Sequence, residues 1–262
     1  LFFHQIFMLQ AYNTLGFLNL CIGGTDMAER LGVFTRTLGG RAREATERVL
    51  ASPQENVIYL YIKRVFDILF VLVALVLLAP LLLLIAIAIR LDSPGPIVLI
   101  QQRVGKGGKL FGFYKFRSMF QHTDPSVHRE FSRQYINGHC DSSAGFYKPH
   151  QDQCVTRVGR FLRRTSLDEL PQLFNILKGE MSLVGPRPSI AYELEAYAPR
   201  HFHRLEATPG LTGWAQIHGR SALRFDDIVT LDIEYIKRRS LKMDFCILLR
   251  TAPVVWSGKG AR

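Results

Sequence analysis

The chain has 262 residues, 33 Lys and Arg against 22 Asp and Glu, a net charge of +11, and 48% hydrophobic residues. That length carries one large or two small domains with an apolar core, and the composition excludes a disordered or collagen-like chain. Four cysteines, at 21, 140, 154 and 246, form no CxxC pair, which argues against a zinc site or disulfide framework and suits a reducing compartment.

A chain both basic and apolar leaves two kinds of anionic partner: nucleic acid, or the phosphates of a membrane and its lipids. The distribution of apolar residues decides between them. Residues 1–56 form an N-terminal extension whose first part, LFFHQIFMLQAYNTLGFLNLCIGG, follows no clean helix or strand pattern. Met27 opens a better-formed stretch broken at Gly39-Gly40, so residues 1–26 are expected to be dispensable and upstream of the natural start. Past Ala51-Ser52-Pro53 the chain enters an apolar unit, residues 57–91.

From Ile68 to Ile89 run 22 residues without a charged or hydrogen-bonding side chain. As one straight helix they reach about 33 Å, enough to cross a bilayer. A nucleic-acid binder has no use for such a segment, and its position and length do not suit a secretory signal. A buried helix of a soluble core is the bland alternative. Pro80 falls mid-run, removes a backbone donor and predicts a kink into halves of about 15–18 Å, each too short to span.

Lys63 and Arg64 flank one end, with Arg90, Arg103, Lys106, Lys109, Lys115 and Arg117 beyond the other. The positive-inside rule places both flanks in the cytoplasm, which a hairpin entering and leaving on one face satisfies. Many spanning helices contain proline, so a simple span stays open on this reasoning. Asp67 is spaced i+3 from Arg64 for an interfacial pair, with snorkelling of Lys63 and Arg64 the equal alternative.

Residues 92–262 read as an α/β unit with a small sheet and amphipathic helices. Asp92-Ser93-Pro94-Gly95-Pro96 is a turn cluster, and IVLIQQRV and KLFGFYKF read as strands joined by Gly105-Lys106-Gly107-Gly108. Residues 120–153 are a polar insertion in which His122, His128, His139 and His150 lack metal spacing, so a mobile surface loop is expected. Beyond it, Phe225–Arg250 reads as a charged helical segment.

Arg163-Arg164-Thr165-Ser166-Leu167-Asp168-Glu169-Leu170-Pro171 is the densest constellation. Ser166 and Glu169 match a capping box, which predicts a helix start. Asp168 and Glu169 are then either first-turn acids complementing the helix dipole or chemical groups. A helix N-terminus flanked by arginines suits phosphate, and a carboxylate held there would keep a lowered pKa and serve as nucleophile or metal ligand. Gly185-Pro186-Arg187-Pro188 sets one arginine on a rigid turn, as apt for structure as for an anion. Thr208-Pro209-Gly210-Leu211-Thr212-Gly213-Trp214 ends in an aromatic suited to packing on a base or the bilayer.

Together these segments resemble the bacterial sugar transferase family, monotopic phosphoglycosyl transferases of the small catalytic-unit type. The resemblance rests on Lys63-Arg64-x-x-Asp67, Gly95-Pro96, Gln102-Arg103-Val104-Gly105 and Tyr114–Met119. It continues through Val158–Arg163, Thr165–Leu173, Met181–Pro188 and Pro209–Trp214, with Asp232, Tyr235, Ser240, Asp244 and Thr251 fitting a looser C-terminal pattern. The matching segments lie in order between about residues 57 and 255.

The resemblance implies transfer of a sugar 1-phosphate from a UDP-sugar to polyprenyl phosphate, releasing UMP, on the cytoplasmic face of a bacterial inner membrane. It implies Asp168 as the nucleophile of a phosphosugar-enzyme intermediate, Glu169 as its partner, and Mg²⁺ held by both. Arg163 would bind phosphate and Pro186-Arg187-Pro188 would face the nucleotide. Lys63, Arg64, Asp67 and Pro80 would anchor a re-entrant helix-break-helix in the bilayer. The implied partners are the UDP-sugar, the polyprenyl phosphate and the bilayer, with no nucleic acid and with a homo-oligomer left open.

The chemistry agrees: two anionic phosphates must meet, which calls for cations, and a covalent intermediate lets a soluble donor and a membrane acceptor use one site in turn. The sequence departs from the family pattern at Ala79, where serine precedes the membrane proline, at Asp152-Gln153-Cys154, where a Pro-Arg pair is common, and at His218 and Ser221, where asparagines are common. A scaffold that kept the fold but lost activity is the alternative; the intact Asp168-Glu169 dyad and both arginines speak against it.

Overall fold

The computed structural model describes residues 56–120, 125–138, 154–219 and 222–257. The N-terminal extension through residue 55, most of the insertion with His122, His139 and His150, the departure at Asp152-Gln153, and Ser221 lie outside them.

Helix α1, Val57–Asp92, is 36 residues long, about 54 Å at 1.5 Å per residue. Asn56 starts it by accepting from the Tyr59 N–H at 3.1 Å. The chain stays helical through Pro80, so the expected break into two half-helices is not observed. Pro80 removes only the donor that would have met the Val76 carbonyl, while the turns on either side stay held by their own bonds.

Among the described residues α1 is one helix long and apolar enough to cross a bilayer. Yet one stripe of it, Tyr59, Asp67, Val71, Leu82, Ile85, Ala86 and Ile89, is buried against the rest of the protein. The outer face stays bare: Val76 is 76% exposed and Leu77 72%.

Strands β1 (Val98–Val104) and β2 (Leu110–Phe116) form the expected hairpin, antiparallel from Val98 opposite Phe116 to Val104 opposite Leu110. The turn between them places Gly107 and Gly108 at positive φ, where a side chain would be strained. Helix α2 (Pro125–Ile136) follows, so part of the insertion is regular structure rather than a loop. It docks through Arg129, which donates to Glu195, and through Tyr135, whose hydroxyl donates to the Leu223 carbonyl at 2.6 Å.

Helices α3 (Arg157–Thr165) and α4 (Gln172–Lys178) lead into β3 (Ser182–Val184) and β4 (Ser189–Ile190). β4 extends the hairpin into a three-stranded sheet of order β2-β1-β4, and β3 pairs in parallel with β5 (Gly210–Thr212). Short helix α5 (Trp214–His218) precedes α6 (Phe225–Arg238) and α7 (Leu241–Ser257). The single helical segment expected over 225–250 is therefore two, because Arg239 leaves helical φ/ψ and the Ser240 hydroxyl accepts from the Met243 N–H to start α7.

Among the described residues four apolar clusters form, and α1 serves the two that follow. Val71 packs with Phe111, Phe113, Leu173, Ile176 and Val184, while Leu82, Ile85, Ala86 and Ile89 pack with Phe116 and Leu162. Polar bonds pin the same helix. Lys63 pairs with Asp244 at 2.7 Å. Arg64 donates to the terminal carbonyls Ile176 and Leu177 of α4 instead of pairing with Asp67. Asp67, buried, accepts from the Leu183 N–H at 3.2 Å. Arg117 is equally remote from solvent and donates to the Ile89 and Ser93 carbonyls at 3.2 and 2.6 Å, closing the C-terminal end of α1. These side chains bond to protein because an unmet carbonyl or carboxylate beside a core costs more than an exposed flank charge gains.

Candidate active site

The Asp168-Glu169 pair sits on a single 3₁₀ turn, Leu167–Glu169, between α3 and α4. Ser166 makes the corner. Its φ of 57° lies in the left-handed region, where it is the sole non-glycine among the described residues, and its N–H donates to the Arg163 carbonyl. It thus ends α3 and caps no helix through its side chain, so the expected capping box does not form. Helix α4 starts three residues after Glu169, behind Pro171, and the dyad is a corner between helices rather than a first helical turn.

The corner buries Asp168 to 3% exposure. Strand β2 delivers Lys115 to it, with Nζ 2.7 Å from Oδ2. Burial pushes the Asp168 carboxyl above its ordinary range, with Lys115 working against that rise and Glu169 adding to it. The expected lowered pKa is therefore corrected: desolvation, absent from a reading of an exposed helix end, outweighs the nearby cation.

Glu169 points to a second cation, Arg187, at 2.9 Å. The Glu169 charge in turn raises the Arg187 guanidinium. The dyad and the Pro186-Arg187-Pro188 turn, 18 residues apart in sequence, are one site. Two adjacent carboxylates, each paired to its own cation, meet there.

The turn is held from several sides. The Gly185 N–H donates to Thr212 and the Pro186 carbonyl accepts from Gly210. Arg103 Nη1 donates to the Pro188 carbonyl at 3.0 Å, and Arg204 Nη2 to the Arg187 carbonyl at 3.3 Å. Arg204 is fixed by a buried pair with Asp232, 2.7 Å, and by the Tyr197 hydroxyl at 3.0 Å. A Cβ at Gly185 would lie 2.3 Å from the Thr208 carbonyl oxygen, so the backbone there must stay bare. Gly185→Ala is expected to lower stability by about 1–3 kcal/mol through that overlap and to reduce activity with it, as checked by thermal unfolding and turnover together.

Arg163, expected to bind phosphate, is not drawn into the ion pairs of the dyad. It lies half-buried in the last turn of α3 and makes no ion pair with either carboxylate. Trp214, expected as an open platform, donates to Glu234 at 3.2 Å and lies against the His218 ring, tilted by 60° with 4.1 Å between ring centroids. In the sequence Lys115 and Arg103 read only as flank charges of the apolar run, and Arg204 carries no signal of its own. A lone lysine inside the apolar strand LFGFYKF was the one available signal.

The donor set suits Mg²⁺, which binds through one or two carboxylates and completes its shell with water and substrate phosphate. Among the described residues no third acid, histidine or cysteine joins the dyad, so a closed cage of the kind Zn²⁺ prefers is absent there.

Residues 58–258 match the bacterial sugar transferase family. Over 236 residues the chain is 38% identical to a UDP-N-acetylgalactosamine-undecaprenyl-phosphate N-acetylgalactosaminephosphotransferase of Aeromonas hydrophila, covering 87% of this chain and 52% of that protein. It is 41% identical over 211 residues to an undecaprenyl-phosphate galactose phosphotransferase of Salmonella typhimurium, covering 77% and 42%. Over 199 residues it is 41% identical to the exopolysaccharide production protein ExoY of Rhizobium meliloti, covering 76% and 87%. The chain thus spans about half the length of the first two relatives and most of the third. The dyad, the arginine turn and all but the first residue of the long apolar helix fall inside the matched stretch, and the chain belongs to the bacterial sugar transferase family.

Proposed function

We propose that the chain moves a sugar 1-phosphate from a UDP-sugar to polyprenyl phosphate, releasing UMP, with Asp168 as nucleophile. The observation that carries this is a buried carboxylate held 2.7 Å from a lysine, beside a second carboxylate paired to an arginine. The relatives' names supply the substrate classes: undecaprenyl phosphate and, in one case, a UDP-sugar.

In the first half-reaction the ionised Asp168 carboxylate attacks the sugar-bearing phosphorus of the diphosphate. The bond from that phosphorus to the bridging oxygen breaks, and the oxygen leaves with UMP. In the second, an oxygen of polyprenyl phosphate attacks the same phosphorus and the aspartyl oxygen departs, restoring the carboxylate. Arg187 is placed to meet the nucleotide phosphate, and Lys115 orients the nucleophile and balances its charge. Arg163, without an internal ion pair to the dyad, is available to the incoming phosphates. Mg²⁺, held by Asp168 and Glu169, would supply charge neutralisation on the diphosphate. UMP release from a panel of UDP-glucose, UDP-galactose and UDP-N-acetylated sugars, with polyprenyl phosphate and Mg²⁺, tests the reaction and names the sugar. No release with any donor would reject it.

Helix α1 then dips into the cytoplasmic leaflet and does not cross. Support comes from its attachment to the polar body at both Tyr59 and Ile89, about 45 Å apart along the axis. A crossing helix so attached would drag charged surface through hydrocarbon, at several kcal/mol per group. Single cysteines at Asn56 and Leu91 in a cysteine-free chain are expected to react with impermeant maleimide in inside-out vesicles and not in intact spheroplasts. Labelling of either one from outside would overturn this topology.

A further inference from the structure

The sequence singles out Lys63, Asp67, Tyr235 and Asp244, and the bonds described for these four converge on β3 rather than on the dyad. That strand is three residues long and runs straight into Gly185-Pro186-Arg187-Pro188. One link comes directly from α1. Asp67, 3% exposed, faces the protein, and its Oδ1 accepts from the Leu183 N–H at 3.2 Å.

The other link passes through Asp244, in the first turn of α7. Its Oδ2 accepts from the Tyr59 hydroxyl at 2.8 Å and from Lys63 Nζ at 2.7 Å, both on α1. Its Oδ1 lies 2.7 Å from the Tyr235 hydroxyl of α6. The one proton of that hydroxyl is shared between this oxygen and the Val184 carbonyl at 3.2 Å.

Apolar packing already holds α1 at this point, where Val71 is fully buried in one cluster with Leu183 and Val184. Burying two carboxylates there costs more than burying uncharged side chains of similar size. What they add is direction: a hydrogen bond fixes one register of helix against strand, whereas apolar contacts tolerate repacking. A register set at β3 carries onward. Gly185 has no room for a side chain, and the rings of Pro186 and Pro188 fix the backbone on both sides of Arg187, so the turn cannot absorb a shift.

We infer that Asp67 and Tyr235 are positioning residues that use α1 as the frame setting Arg187 where it meets a nucleotide phosphate, the role proposed for that arginine above. Helix α1 then serves donor recognition as well as attachment. Asp67, expected as a membrane anchor, works on the protein side of the helix.

The test is equilibrium binding of UDP to the full chain in detergent, which reads Arg187 without turnover. Arg187→Gln should weaken UDP by at least about ten-fold, the loss of one charge-assisted contact. Tyr235→Phe deletes one oxygen and keeps the buried ring, and Asp67→Leu deletes the acceptor. Each should weaken UDP by at least about three-fold, because a small misplacement of a binding group is costly. Asp67→Asn keeps an oxygen for the Leu183 N–H and should bind within about two-fold of wild type. Should Asp67→Leu not fold, Tyr235→Phe carries the test by itself.

Two controls separate position from stability. Ile85→Ala loosens the same helix in its other apolar cluster, and should lower the thermal midpoint with UDP binding unchanged. The double variant Tyr235→Phe/Arg187→Gln should bind no more weakly than Arg187→Gln, because the phenol acts through the guanidinium. Arg187→Gln binding like wild type would overturn the nucleotide role and the positioning with it. If Arg187→Gln weakens UDP, the positioning alone falls on any of three results: unchanged binding by Tyr235→Phe, losses that multiply in the double variant, or an equal loss in Ile85→Ala.

Discussion

Asp168→Asn should lower UMP release by at least about 10⁴-fold, the scale seen when a covalent nucleophile is removed. The replacement keeps the shape of the corner and deletes only the attacking charge. The fold should survive, because Asp168 is buried to 3% exposure and burial already disfavours its charged form. Lys115, left without its partner, is 33% exposed and can be solvated.

The companion substitution Lys115→Met tests how the carboxylate is kept ionised. Attack requires the anion, so activity is lost as pH falls through the Asp168 pKa in the folded protein. Burial raises that pKa and Lys115 opposes the rise; without Lys115 the acid limb of kcat/KM should move to higher pH. The rate at neutral pH should also fall, by about 10²–10³-fold, the usual loss for one preorganised electrostatic group. An unmoved limb would mean that Lys115 does not set the charge of Asp168.

The second large effect is expected far from the reacting atoms. Arg204 and Asp232 form a 2.7 Å pair whose side chains are 6% and 1% exposed. Asp232→Ala strands a buried guanidinium and should cost about 3–5 kcal/mol, read as a drop in the thermal midpoint. Because Arg204 also donates to the Arg187 carbonyl, turnover of the surviving folded protein should fall through a higher KM for the donor. For contrast, Arg238→Gln breaks an i,i+4 pair with Glu234 whose arginine is 73% exposed, and should change stability by about 0.5 kcal/mol or less.

What the sequence revealed was local. The β1–β2 hairpin was legible because two apolar runs flank glycines that a tight turn requires, and α1 because 22 uncharged residues need no partner to be noticed. The dyad stands out in the sequence through a capping-box spacing that the fold does not use. Ser166 and Glu169 have capping-box spacing, but Pro171, the fifth residue of the supposed helix, lacks the N–H that would meet the Leu167 carbonyl, and the chain instead takes a left-handed corner at Ser166.

Partners distant in sequence left no such trace. Lys115 reads as one more flank charge until the sheet sets it against Asp168, 53 residues on. Arg64 and Asp67 have helical spacing for each other, yet each finds a backbone partner more than 100 residues away. Spacing reports which groups can meet along one helix, whereas tertiary contacts decide which groups are desolvated and must be satisfied.

The most direct measurement is a search for the phosphosugar on Asp168. Incubating the chain with a UDP-sugar and Mg²⁺ in the absence of polyprenyl phosphate, then digesting it under acidic conditions, should yield one peptide containing Asp168 heavier by a single sugar phosphate. One UMP should be released per enzyme, and added polyprenyl phosphate should discharge the adduct. Release of UMP only when both substrates are present, with an unmodified Asp168 peptide, would contradict nucleophilic catalysis by this residue.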